Sequence, residues 1–360
     1  MLIVTAGSRL AQAASRPTLL LFLLVFSLAA PLMAQTELPK VTLGAGMRTS
    51  FVHTDADKAT STDRFLINSA RFYLNGSVSE QIKFMFNAEY EGNGNRVGVL
   101  DAAARIEVKP AFNIWMGRLL PPSDRANLYG PYYSRHWAVY TDGIQNGHPS
   151  VMIGNSLTGR MDGAVYWGDF KKVKLSLGAF DGSSLTGNAK ILGAGRVQID
   201  FWDKEEGYYL NGTYYGGKDL LGIGVASQVQ SGRTATTADF LMEKKLPGGG
   251  VVSVESEYSN YNRLGGYDSA YAKSQGGYLL AGYLFPQQVG PGRFEVLGKY
   301  AKAKFTHGAT PSYHQKTSEV NFNYVIKEFN ARVMTFYKDT RFNTVKTDNW
   351  QAGVGLQIQM

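Results

Sequence analysis

In residues 81–91, QIKFMFNAEYE, the side chains of Ile82, Phe84, Phe86, Ala88 and Tyr90 alternate with Gln81, Lys83, Met85, Asn87, Glu89 and Glu91. A period of two puts each set on its own side of an extended strand, so one face is apolar and the other polar. Only Met85 departs from the pattern. Downstream, Ala102, Ala104, Ile106 and Val108 alternate with Asp101, Ala103, Arg105, Glu107 and Lys109. Near the end of the chain, Val320, Phe322, Tyr324 and Ile326 are set against Glu319, Asn321, Asn323 and Val325. The last segment sets Trp350, Ala352, Val354, Leu356 and Ile358 against Asn349, Gln351, Gly353, Gly355, Gln357 and Gln359.

A soluble sandwich also alternates, but there the apolar face is a shared core and the polar face meets solvent. Two features favour a wall whose apolar face meets lipid. Aromatic residues fall near strand ends (Tyr90, Trp167, Trp202, Tyr258, Tyr283, Phe285, Tyr300, Tyr337), as girdles at two membrane surfaces would. Connections also alternate in length. Tight ones fall at 79–80, 109–110, 169–171, 246–249, 286–292 and 327–328, and longer polar ones at 54–63, 92–98, 181–190, 263–273 and 306–313. The reading predicts an all-β fold, a transmembrane antiparallel β-barrel of about 16 strands. The strands are expected to start near residues 41, 64, 81, 99, 111, 158, 172, 191, 219, 235, 250, 275, 292, 314, 329 and 346. Residues 207–216 look strand-like, but counting them would make the total odd. Residues 203–218 are therefore read as a turn region with extended Tyr-rich pieces.

Composition and processing signals agree with this class. Residues 1–34 carry Arg9 and Arg16, then an apolar run from 18 to 30 and small residues up to Ala34, the layout of an export signal peptide cleaved before Gln35. Residues 35–360 form one predicted barrel domain destined, through the periplasm, for the outer membrane. The 41 Gly, 21 Tyr and 19 Phe suit many short strands and turns. With no Cys, disulfide scaffolds and thiolate sites are excluded. Beyond the signal peptide, 35 Lys plus Arg face 29 Asp plus Glu, a charge of +6. That excess suits anions, yet is too dilute for nucleic-acid binding.

The longest connection, residues 119–157, is the expected constriction, an inward-folded third loop narrowing a lumen that about 16 strands would otherwise leave wide. It holds Asp124, Arg125, Arg135 and Asp142 among Pro, Tyr and Trp residues, with Arg118 just ahead. Arginine can offer a passing anion fixed charge, or it can staple a loop to carboxylates. The Tyr and Trp residues can equally pack the loop against the wall. Strand parity places Arg71, Lys83, Arg105, Arg160, Lys172, Lys174, Arg196 and Arg332 inside, opposite Glu89, Asp101, Glu107, Asp162, Asp200, Glu255 and Glu257. Pore-lining or constriction residues are thus expected among Arg71, Lys83, Arg105, Arg118, Asp124, Arg125, Arg135, Asp142, Arg160 and Arg196. Arg125 and Arg135 are expected to set charge preference.

The run from Ala70 through Arg71, Phe72, Tyr73, Leu74 and Asn75 to Gly76, then Phe84 to Tyr90, Asp101-Ala102, Gly117-Arg118-Leu119 and Pro121-Pro122, resembles the front half of the phosphate-selective porin O and P family. The resemblance implies a passive outer-membrane channel, usually a homotrimer, with a loop folded into the pore. It does not carry phosphate selectivity across, because selective members resemble one another in a lysine-rich inward loop and residues 119–157 contain no Lys. Met360 also departs from the terminal Phe or Trp common in such barrels.

Enzyme and cofactor signals are weak. His53, His136, His148, His307 and His314 lack ligand spacing, so no metal is expected. Gly222-Ile223-Gly224 lacks the third Gly and the helix of a dinucleotide loop, and neither a P-loop nor a G-x-S-x-G elbow occurs. The expectation is a porin with no cofactor, passing small hydrophilic solutes with a mild preference for anions, and embedded in lipid and lipopolysaccharide. The alternatives are a plugged structural or adhesion barrel and an outer-membrane barrel enzyme.

Overall fold

The computed structural model describes residues 40–91, 96–137, 159–182, 190–265, 270–308, 311–343 and 346–360. The expected signal peptide, residues 1–34, and Asp142 lie outside the described residues. The chain forms β1 (Lys40–Ala56), β2 (Thr62–Ser77), β3 (Ile82–Glu91), β4 (Arg96–Lys109), β5 (Phe112–Leu119), β6 (Met161–Phe170), β7 (Val173–Asp181) and β8 (Ile191–Asp200). It continues through β9 (Leu220–Gln230), β10 (Arg233–Lys245), β11 (Val251–Asn262), β12 (Tyr271–Val289), β13 (Gly292–Gly308), β14 (Tyr313–Lys327), β15 (Ala331–Phe342) and β16 (Asn349–Gln359). Between β5 and β6 lie a five-residue helix, α1 (Arg125–Tyr129), and a 3-10 turn, Pro131–Tyr133.

Every strand pairs antiparallel with its sequence neighbours, and β1 closes on β16 from Gly46↔Gln359 to Ala56↔Asn349. Closure leaves no open sheet edge, the condition for a sheet to stand in lipid. The even count returns both ends of the barrel chain to one rim. The sixteen starts lie within four residues of the positions read from alternation. Residues 203–218 add no strand, but they are more than a turn, as described below. At the opposite rim, Ser231 and Gly232, both with positive φ, make a two-residue link between β9 and β10, a break in the expected long-loop series.

The wall is apolar outside and polar inside. On β14, Val320 and Phe322 are 54% and 48% exposed, whereas Glu319, Asn321 and Asn323 are buried. Tyr258, Tyr300 and Tyr337 stand on the outer face as expected of a girdle. Trp167 does not. It is buried and packs inward, edge-on to Trp115 at 5.7 Å. The inner wall there is itself apolar, with Met85, Trp115, Leu119, Val165, Phe180 and Leu192 in one buried cluster. Something must cover that patch, since wet lumen would not.

Candidate functional site

Two connections cover it, entering from opposite rims. Residues 120–137, following β5, run against the inner wall. Asp124 caps α1, accepting from the Asn127 backbone N–H at 2.9 Å and from Asn127 Nδ2 at 2.6 Å. Gly130, with φ 64°, turns the chain out of α1 into the 3-10 turn, a left-handed conformation that disfavours a side chain. A helix this short has no stability of its own, so the barrel must hold it.

The wall does so by answering the loop's backbone. Arg332 on β15 donates to the carbonyls of Ser134 at 2.6 Å and Tyr132 at 3.1 Å, and Gln357 on β16 donates to Tyr132 at 2.9 Å. Asn323 on β14 donates to the Arg135 carbonyl at 2.9 Å, and Asn321 accepts from the Trp137 N–H at 3.1 Å. Arg48 on β1 donates to the Trp137 carbonyl at 3.0 Å with its guanidinium 4.0 Å from the indole centroid. These partners lie on four contiguous strands, β14, β15, β16 and β1.

The second connection, residues 201–219, enters from the rim that carries the ends of β1 and β16. It meets the first through backbone bonds, Leu210 N–H to the Leu128 carbonyl at 3.3 Å and Gly212 N–H to the Tyr133 carbonyl at 2.8 Å. Tyr208 donates from its hydroxyl to the Leu120 carbonyl at 2.7 Å and packs on Trp115 at 5.3 Å. Glu243 on β10 holds the far side, accepting from Thr213 Oγ1 at 2.6 Å and from the N–H groups of Tyr214 and Gly216.

An ionic cluster joins the two connections to the wall. Arg125 grips the Glu205 carboxylate with both ends of its guanidinium and donates to the Asn211 carbonyl at 3.0 Å. Asp239 on β10 accepts from the Arg125 N–H at 3.2 Å and from Arg196 of β8 at 2.8 Å. Burial alone would raise the Glu205 carboxyl, but Arg125, with Lys174 and Tyr214, brings it down to about 2. For Asp124 burial wins over the Asn127 bonds and lifts the carboxyl to about 6. His136, buried and beside Lys299 and Arg135, is held well below the usual imidazole range and is neutral at pH 7.

Beside this scaffold, against β2, β3 and β4, lies a cavity of about 340 Å³. Arg71, Arg105 and Arg160 converge on it, with Asp101, Asn75 and Asn87. Each arginine has a carboxylate neighbour: Arg71 with Glu89 at 2.6 Å, Arg160 with Asp101 at 3.0 Å, Arg105 with Glu107 at 3.4 Å. A second cavity of about 330 Å³ opens at the rim of the chain ends, lined by Thr42, Asn330 and Gln359 among others. Tyr73, Asn75 and Tyr133 line both.

The residues expected to line a pore therefore fall into distinct places. Arg71, Arg105 and Arg160 share the cavity, and Lys83 is paired with Glu107 at 2.8 Å on the inner wall. Arg125, Arg135 and Arg196 are instead buried, and Arg135 donates to Ser253. The expectation that Arg125 and Arg135 set charge preference is corrected: at 1% exposure each they staple the loop. Asp124 is likewise buried as a cap. Arg118 is corrected too. It shares the outward parity of Met116, while Trp115 and Leu119 point in, and it meets the exposed Asp162 at 3.6 Å on the outer wall. Asp162 thus leaves the interior set. Sequence reasoning missed Arg48, Glu205, Asp239 and Glu243; Met85 and Ala103, apolar on the polar face, were signals of a covered inner wall.

No family model and no curated protein matches the chain. Solved structures match its fold. The outer membrane channel DcaP of Acinetobacter baumannii aligns over 91% of this chain and 100% of its own, with TM-score 0.60 and 12% identity. Pseudomonas putida OprB covers 89% and 94% with TM-score 0.59 and 10% identity, and Salmonella typhi OmpF, in complex with daunomycin, covers 89% and 98% with TM-score 0.57 and 16% identity. A closed wall, apolar outside and charged inside, is stable only in a bilayer, and this architecture is that of a multi-pass outer-membrane β-barrel.

Proposed function

We propose that the chain is a passive porin through which small hydrophilic solutes diffuse, with a mild preference for anions such as phosphate or organic anions. The observation that carries this reading is the pair of cavities sharing Tyr73, Asn75 and Tyr133, a polar route beside the two inward connections. Among the charged residues lining the two cavities, Arg71, Arg105 and Arg160 outnumber Asp101 and Glu328. Their carboxylate neighbours temper the field, so the preference is weak rather than that of a dedicated anion trap. Residues 120–137 act as the constriction, stapled rather than lined by their own arginines. In this reading the chain is no enzyme and needs no cofactor, and it assembles, as the porin O and P resemblance implies, into a homotrimer.

Swelling of vesicles containing the folded protein tests it. Entry of a small neutral sugar, and faster entry of an organic anion than of a cation of the same size, is expected. Vesicles that stay osmotically tight around heat-modifiable, folded protein would contradict the channel and favour a plugged barrel.

A further inference from the structure

The outer wall carries a feature that solute diffusion does not use. On β13, β14 and β15, Lys302 lies directly opposite Lys316, and Lys316 directly opposite Arg341. Like charges facing each other across paired strands are destabilising. Arg341 is neutralised by Asp339 at 2.9 Å and Asp348 at 3.4 Å. Among the described residues, Lys302 and Lys316 have no ion-pair partner, and neither have Lys304 and Lys273 alongside.

The level of this row on the barrel matters. Lys302 lies two residues beyond Tyr300 and Asn260 two beyond Tyr258, so the row stands about 6–7 Å past the tyrosines. Below it the outward surface is apolar, with Leu279 and Val320 exposed. At the corresponding rim of other strands Phe65, Val97 and Ile191 are exposed and apolar, and the outward charges of β5 and β6, Arg118 and Asp162, answer each other. The lysine row thus stands on β12–β14, and beside it a groove of about 390 Å³ is lined by Thr236, Asn260, Lys273, Gln275 and Lys304.

We propose that this patch binds the phosphates of an outer-leaflet glycolipid, with its acyl chains on the apolar wall beneath. The inference rests on the outer-membrane reading, in which the rim opposite the chain ends faces the cell exterior. A phosphorylated lipid supplies both the anion that relieves the lysine row and the chains that cover Leu279 and Val320. Inorganic phosphate supplies only the first.

The test is native mass spectrometry of the folded full chain with a bis-phosphorylated, acylated disaccharide lipid and its dephosphorylated form as probes. Wild type is expected to retain the phosphorylated probe preferentially, and the Lys302→Gln/Lys316→Gln variant to bind it roughly 25-fold more weakly, about 5-fold per lysine. Millimolar inorganic phosphate is expected to leave the complex intact. Equal retention of the two probes, an unaffected variant, or displacement by inorganic phosphate would overturn the site. Insertion of both proteins into phosphatidylcholine vesicles is scored separately. Wild type that inserts without phosphate discrimination overturns the lipid site alone, whereas wild type that fails to insert overturns the membrane reading beneath it.

Discussion

Replacing Glu205 with Gln removes the carboxylate that ties residues 201–219 to residues 120–137. Both side chains of the Arg125–Glu205 pair are 1% exposed, so solvent cannot take over when one partner is lost. The Glu205 carboxyl sits at about 2 against an ordinary 4.5, and that difference corresponds to about 3 kcal/mol. Breaking a buried pair and leaving its cation unpaired costs about 3–5 kcal/mol, in agreement. Because the folded-state value is depressed, this stabilisation is complete above pH 4.5 and is lost as pH falls towards 2. Denaturant unfolding in phospholipid vesicles, followed by the fluorescence of Trp115 and Trp167 beside Tyr208, reads it directly. The variant is expected to lose about 3 kcal/mol at pH 7, and its difference from wild type should close between pH 4.5 and 2. A variant within about 0.5 kcal/mol of wild type at pH 7 would refute the idea that this pair latches the two connections.

Three further outcomes follow from the same geometry. Asp124, lifted to about 6, favours the folded state when protonated, so it makes stability fall by about 3 kcal/mol as pH rises from 3.8 to 6; Asp124→Asn keeps a cap acceptor, and its unfolding profile should lack that slope. Trp137→Ala empties the space between Arg48 and Phe336 and should cost about 3–5 kcal/mol in the same unfolding assay. Arg118→Gln alters only the outer wall, so reversal potential in a salt gradient should stay at the wild-type value; a shift would put Arg118 back in the pore.

The wall of the barrel was legible in sequence because its two environments, lipid and wet lumen, impose opposite chemistry on successive residues. β14 and β16 show it plainly, and the sixteen starts were placed from it. The same rule failed wherever the lumen is not wet. Trp167, read as a girdle residue, points inward because Tyr208 covers it, and Met85 joins the same covered patch. Residues 207–216 look strand-like in sequence yet form no strand: the shape of residues 201–219 comes from partners distant in sequence, such as Glu243 and the Leu128 carbonyl. For the same reason the fate of each arginine was hidden. Arg125 and Arg71 look alike in sequence, and only the meeting of Arg125 with Glu205 separates staple from cavity wall.

The most direct measurement is the reversal potential of single channels in a planar bilayer under a KCl gradient, for wild type and for Arg71→Gln/Arg105→Gln/Arg160→Gln. The account predicts stepwise, ohmic current with a modest anion bias in wild type, and a shift towards cations in the variant, which leaves Asp101 as the charge lining the cavity. An identical reversal potential in both would contradict a route past these arginines, and silence from folded wild type would contradict the channel itself.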